Sequence, residues 1–359
     1  MYNLGGNPIL DAIINAVAFF GMMLIVSLAF DHLLGFAGIP ALVNRIPVLV
    51  GAFTVSAVSM RLIFTVATSA GVQLLDYGSE QGWIYNNPEN VRLVNEFLAA
   101  NPLLSVGLIL FSLAAAMIFG GLSGWLLARV TLRLEPIYIL IATLALTDLG
   151  CVPGRSITWV SGGTLGLSVP DPLAFIPGNQ HTAWALIIVV IAAGVFLLLS
   201  RLESSPWGRF VAATSENPIM TTSMGGDLVQ IRGRVIFYTS GIMALAGTLW
   251  GFYYLFVVEA PFHNSPWLFW PMTAILLGGS GGKRGAVLGT IAVFTIYEAI
   301  VVFKEPLTTL FFFPASYLES IILSLLMLAS LILLPRGPIN GRRRHLKGIV
   351  YDGVVTDDS

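Results

Sequence analysis

Apolar runs of about twenty residues follow one another along most of this chain, and polar residues gather in the intervals between them. A helix that crosses roughly 30 Å of hydrocarbon needs about 20 such residues. The pattern predicts membrane-spanning helices at Ile9–Phe30, Ile46–Gly71, Leu103–Ala128, Pro136–Val152, Thr182–Ser200, Val235–Val258, Pro266–Gly279, Gly285–Phe303 and Ser316–Leu334. Pro266–Gly279 is short for a full crossing, and Gly35–Arg45 is a further short piece interrupted by Gly and Pro. Half-length and broken helices occur where freed backbone groups line a cavity enclosed by protein. The expectation is an all-α polytopic membrane protein, a bundle of eight to ten helices filling residues 1–334.

Composition agrees with the pattern. Of 359 residues, 56% are hydrophobic and only 10% charged, against roughly 25% charged in soluble domains. With 18 Lys and Arg against 19 Asp and Glu, nothing draws the chain to a nucleic acid. The placement of charge is more informative than its sum. Arg129, Arg133, Arg201, Arg209, Arg232, Arg234, Lys283, Arg284 and the basic tail from Arg336 fall on one side of the predicted spans. Asp76, Glu80, Glu89, Glu96, Asp171 and Glu259 fall on the other. The excess of cations marks the cytoplasmic side. Nine spans put the N-terminus outside, and Gly35–Arg45 as a tenth would put it inside.

Three polar pieces remain. Residues 72–102 form a long outer loop, in which Pro88–Asn101 can make a surface helix. Residues 335–359 read as a solvated tail at the inner face. Residues 204–233 form an inner loop too organised merely to turn the chain. Ser205 can cap a helix with Pro206 at its first position, where the missing N–H does no harm. Trp207–Asn217 continue it, Pro218 ends it, and Ile219–Met224 make a second piece that stops at Gly225-Gly226. Trp207, Phe210 and Val211 would form an apolar face, with Arg209 and Glu216 as polar handles. Such a helix can seat in a groove of a soluble partner or lie on the inner leaflet.

This loop resembles the ATPase-docking loop of the permeases in branched-chain amino acid ABC transporters. The residues that carry the resemblance are Ser205, Trp207, Gly208, Arg209, Glu216, Asn217 and Gly225. More of the chain is similar in the same order: Arg133, Leu134, Tyr138, Thr143, Leu144 and Ala145; the outer segment Gly162-Gly163-Thr164-Leu165-Gly166; Ser240-Gly241 with Ala246-Gly247; Ile275–Thr290; and Leu333–Gly341. The resemblance implies an inner-membrane permease that pairs with a second homologous permease subunit. It implies two cytoplasmic ATPases, which hold the ATP and Mg²⁺, and an extracytoplasmic substrate-binding protein. This chain would then be no enzyme and carry no cofactor. A urea or short-amide importer and a secondary transporter working without ATP are the alternatives. On this reading Arg209 and Glu216 make polar contacts with the ATPase, with Trp207 the apolar anchor. Thr143, Gly162, Gly163 and Gly166 belong to the pathway or outer gate.

The surroundings of the other constellations decide their roles. Gly278–Lys283 reads GGSGGK, one residue short of a phosphate loop and flanked by apolar spans, so it is expected to be a turn. Glycines four apart at Gly120/Gly124, Gly247/Gly251 and Gly285/Gly289 permit close helix contact. The four histidines are scattered and Cys151 stands alone, so no metal site is expected. Arg61, Asp148 and Glu298 lie in or near apolar spans, where charges must face the bundle interior, a partner or water. Arg61 and Glu298 are expected either to pair or to meet a zwitterionic substrate.

Overall fold

The computed structural model describes residues 8–302, apart from 177 and 224, and residues 315–333. The tail 335–359 and nearly all of the Leu333–Gly341 motif lie outside them. Helix α1 (Pro8–Phe30) runs on through a wide π turn, Asp31–Phe36. Helix α2 (Arg45–Thr54) passes through a second π turn, Val55–Ser59, into α3 (Met60–Ser69). Next come α4 (Glu80–Tyr85), α5 (Asn87–Ala100), α6 (Pro102–Thr131), α7 (Pro136–Ser156), the single turn α8 (Thr158–Ser161) and α9 (Gln180–Ser204). Helices α10 (Pro206–Glu216), α11 (Pro218–Ser223), α12 (Leu228–Tyr254), α13 (Trp270–Gly278), α14 (Lys283–Val302) and α15 (Ala315–Leu333) complete the chain. A two-residue hairpin pairs β1 (Leu167–Ser168) with β2 (Phe256–Val257).

Six of these helical segments are long and apolar enough to cross a membrane: Leu10–Phe36, Arg45–Ser69, Pro102–Thr131, Pro136–Ser156, Gln180–Ser204 and Leu228–Tyr254. Helices α12 and α2 form the centre and α7 the rim, because α12 is mostly enclosed and α7 mostly exposed. Small residues let the central helices approach. A Cβ on Gly247 would lie 2.9 Å from the Ala52 nitrogen of α2, and one on Gly124 would lie 2.5 Å from Ser240 Cβ of α12. Gly285 and Gly289 likewise abut α13. The glycine pairs therefore act in packing, which replaces the hydrophobic drive that lipid cannot supply.

The segment 35–45 is not a further helical crossing. After the π turn, residues 37–44 run as an irregular, mostly buried chain. Gly38 abuts Ser215 at the cation-rich end. Leu42 is clamped on α7: its N–H donates to Thr143 Oγ1 at 3.0 Å, and its carbonyl accepts from Thr147 Oγ1 at 3.1 Å. Free backbone groups away from water must be satisfied in this way. The coil and α2–α3 thus make one passage together. The N-terminal end lies opposite the cations, because Asn15 on α1 accepts from Tyr253 at the far end of α12.

The outer loop is a folded cap. Alongside the expected helix, here α5, stands α4, whose Ser79 cap accepts from Gly82 N at 3.0 Å. Trp83, Val91, Val94 and Leu98 bury against Ile63 and Phe64 of α3 and Leu108 of α6.

Candidate functional site

Two constellations carry polar chemistry inside an otherwise apolar bundle. The first is the inner loop. Ser205, with extended backbone, accepts from Gly208 N at 3.1 Å and caps α10. Pro206 occupies the first turn, and Asn217 leaves the helical region just before Pro218 opens α11. Gly225 adopts a φ of 84°, the left-handed region that glycine enters without steric cost, and Asp227 then caps α12 through the N–H groups of Val229 and Gln230. Gly208 is required for contact: a Cβ there would lie 2.6 Å from the Glu203 Cα and carbonyl oxygen, so α10 folds hard onto the end of α9.

The faces of α10 differ from the expectation in one respect. Val211 and Thr214 are buried, and Trp207 is half-buried against the main core, with Arg234 stacked 6.0 Å over its ring. Trp207 and Val211 therefore hold the helix to its own bundle and do not present an apolar face outward. The exposed surface is Arg209, Phe210, Glu216, Asn217 and, on α11, Ile219. Arg209 also ties back, donating from Nη1 to Ser204 O at 3.0 Å.

Behind α10 lies a polar hub that sequence reading missed. Glu203 closes α9 and accepts from Lys283 Nζ at 2.9 Å, at the start of α14. Its other oxygen lies 3.1 Å from His32 Nδ1, and His32 Nε2 lies 2.7 Å from the Tyr238 hydroxyl on α12. Next to His32, Asp31 accepts from Gly281 N at 2.7 Å. The glycine-rich segment 278–283 is thus a turn between α13 and α14, anchored on α1. Its backbone N–H serves a carboxylate of the same chain, and no strand leads into it.

The second constellation lies deeper, where two interruptions of the chain meet. The coil 37–44 ends at Arg45, and the break after α12 ends at Asn264, before the π turn Ser265–Phe269 that opens α13. Arg45 donates to Asp148 Oδ1 at 2.6 Å, to Glu259 Oε1 at 2.9 Å and to the Phe262 carbonyl. Arg155 Nε donates to Glu259 Oε2 at 2.6 Å, and Asn264 Nδ2 to Asp148 Oδ1 at 3.0 Å. The result is an alternating chain of charge, Asp148–Arg45–Glu259–Arg155. Its middle is enclosed, with Arg45 and Glu259 side chains 7% and 4% exposed, while Asp148 and Arg155 at its ends are 56% and 63% exposed. The latter two stand seven residues apart on the open side of α7. The buried side-chain amide of Asn44 and the Asn264 Oδ1 have no partner among the described residues. Long separations hid the cluster in sequence. The available signal was Arg45 standing where a broken segment meets a span.

The other residues expected at the pathway have the following surroundings. Thr143 braces the coil through Leu42. Gly162, Gly163 and Gly166 all have positive φ and form the turn that leads into β1. Gly166 packs against Phe256, with the Val257 carbonyl 2.9 Å from where its Cβ would stand. Arg61 does not pair with Glu298: it donates to the Trp159 carbonyl at 2.7 Å and stacks 4.9 Å from Trp83 and 5.2 Å from Trp159.

A family model described as the permease component of branched-chain amino acid transport systems matches residues 12–331. The chain is 29% identical over 337 residues to the probable branched-chain amino acid transport permease protein LivM of Methanocaldococcus jannaschii, covering 92% of this chain and 94% of that one. No solved structure matches it.

Proposed function

The chain belongs to the permease family of branched-chain amino acid transport systems, and from that premise we propose that it is the membrane subunit of an ATP-driven importer for branched-chain or similar amino acids. Separate cytoplasmic ATPases grip α10 and α11, a homologous permease pairs with it, and an extracytoplasmic binding protein delivers the substrate. One observation carries the coupling: α10 is capped, wedged onto α9 through Gly208 and backed by the hub Glu203–His32–Tyr238–Lys283. A push on its exposed residues Arg209, Phe210 and Glu216 passes into α9, α1, α12 and α14 together. Such a linkage shifts a bundle between two packings without chemistry in this chain.

The substrate path in this reading runs past Asp148 and Arg155. Charges exposed on a membrane-spanning helix face protein or water and not lipid, so the open side of α7 lines the path or the partner permease. A zwitterion offers an ammonium group for Asp148 and a carboxylate for Arg155, and Leu149 and Val152 beside them suit an apolar side chain.

Site-directed crosslinking tests the coupling. A cysteine in place of Phe210 traps an ATPase subunit in the assembled complex, whereas one in place of buried Thr214 does not. Capture of lipid alone by the first would refute docking. Arg155→Gln then tests the path: the complex assembles and hydrolyses ATP, but uptake into proteoliposomes falls severalfold. Normal uptake by a folded Arg155→Gln complex places the path elsewhere.

A further inference from the structure

Two openings meet between α6 and α12 at the cation-rich end. One is a cleft of about 630 Å³ whose polar lining includes Arg129, Arg133 and Arg234. The other is a groove of about 480 Å³ lined by Leu122, Trp125, Phe237, Tyr238, Trp207 and Arg234. They share Trp125 and Arg234 and so adjoin, with cations at the mouth and apolar side chains one to two turns deeper along both helices. The three guanidinium groups are exposed, and none pairs with a carboxylate among the described residues, whose arginine ion pairs involve Arg45, Arg92 and Arg155. Asp227 is the carboxylate in the cleft, and its Oδ1 already accepts from the first N–H groups of α12. Arg129 stacks 4.6 Å over Trp125, which fixes one cation directly above the groove.

We propose that this space holds an anionic phospholipid of the inner leaflet, with its phosphate among Arg129, Arg133 and Arg234 and an acyl chain along Leu122, Phe237 and Tyr238. Three uncompensated cations over an apolar channel match a molecule that is anionic at one end and hydrocarbon at the other. A soluble anion makes no use of the groove, and a protein partner would have to bring both an acidic cluster and an apolar finger. Basic pockets between membrane helices on the cytoplasmic side recognise anionic headgroups by this chemistry. The occupant touches Trp207 in the first turn of α10 and Tyr238, which hydrogen-bonds His32. It therefore also stiffens the route by which α10 acts on the bundle. That consequence rests on the coupling proposed above; the binding does not.

The test uses the purified complex in nanodiscs and native mass spectrometry, with phosphatidylglycerol and phosphatidylcholine as probes. The wild-type complex retains phosphatidylglycerol in preference, and the preference falls by about fivefold for each arginine removed in the series ending at R129Q/R133Q/R234Q. The triple Arg→Lys variant keeps most of the preference. Leu122→Trp, which leaves every charge and fills the groove, also lowers retention. Equal retention of the two lipids, or a triple Gln variant that unfolds at the wild-type temperature and keeps its preference, overturns the proposal. So does displacement of phosphatidylglycerol by millimolar inorganic phosphate (a soluble-anion site), or crosslinking of a cysteine at position 122 to the second permease (a protein interface). Loss of lipid-dependent ATPase stimulation with binding intact breaks the coupling reading and leaves the lipid site standing.

Discussion

At the cation-rich end, Arg129, Arg133 and Arg234 stand in the open, whereas deeper in the bundle Arg45 is enclosed by Asp148, Glu259 and the Phe262 carbonyl. The first group comes from helix ends close to water, where a cation needs no protein partner. The second comes from two interruptions of the chain and from α7, and each charge there is held by another. An interfacial arginine serves orientation and ligands at little cost. An arginine surrounded by helices is tolerated only when its charge and donors are matched. The exposed arginines of the inner end are therefore independent of one another. The deep cluster is a single unit that fails together.

Substitution should separate the two modes sharply. Glu259→Gln removes the carboxylate that accepts from both Arg45 and Arg155. Breaking a buried pair from one side costs about 3–5 kcal/mol, so the purified complex should unfold at a markedly lower temperature and lose uptake. A change under about 1 kcal/mol, the range of exposed pairs, would place the cluster with the surface cations and dissolve the distinction. Ser205→Ala gives the intermediate effect. It deletes the cap of α10, costs about 1 kcal/mol locally, and weakens transport more than global stability. Ser205→Asp, which caps as well, should restore coupling, and failure of that rescue assigns Ser205 some role other than capping. The smallest effect is at Asp171, in the loop before α9. Burial raises its pKa, opposed by hydrogen bonds from Leu173 N and Trp184 Nε1. Because the folded value is raised, stability is held while the group is protonated and is lost as pH rises from the ordinary carboxylate range through the raised value. Asp171→Asn keeps an acceptor for those donors and should flatten this decline in a thermal melt followed against pH. An unchanged slope would show that Asp171 does not titrate with folding.

The inner loop was nearly complete in the sequence because its determinants are local. Ser205-Pro206 starts α10, Pro218 ends it and Gly225 closes the loop, each through backbone geometry within a few residues. The inward direction of Trp207 was not legible, since it depends on where α9 and α12 stand. Likewise α5 was readable from Asn87-Pro88, while α4 was hidden by its six-residue length, though Ser79 ahead of Glu80 was its signal. The Gly and Pro residues of the segment 35–45 mark it as irregular. Its course was decided by Thr143 and Thr147, about a hundred residues away, which supply the hydrogen bonds its backbone lacks.

By itself, then, the sequence determined that this chain lies in a membrane, which side carries its cations and how its inner loop folds. Apolar length, charge asymmetry and capping act along the chain and need no distant partner. Only the tertiary structure decided that 37–44 and α2–α3 make one passage, that Arg45 meets Asp148 and Glu259, and that Arg129, Arg133 and Arg234 share one cleft. In a solvent of hydrocarbon, buried polar groups must find their partners within the protein, and where helices bring those partners is set by packing.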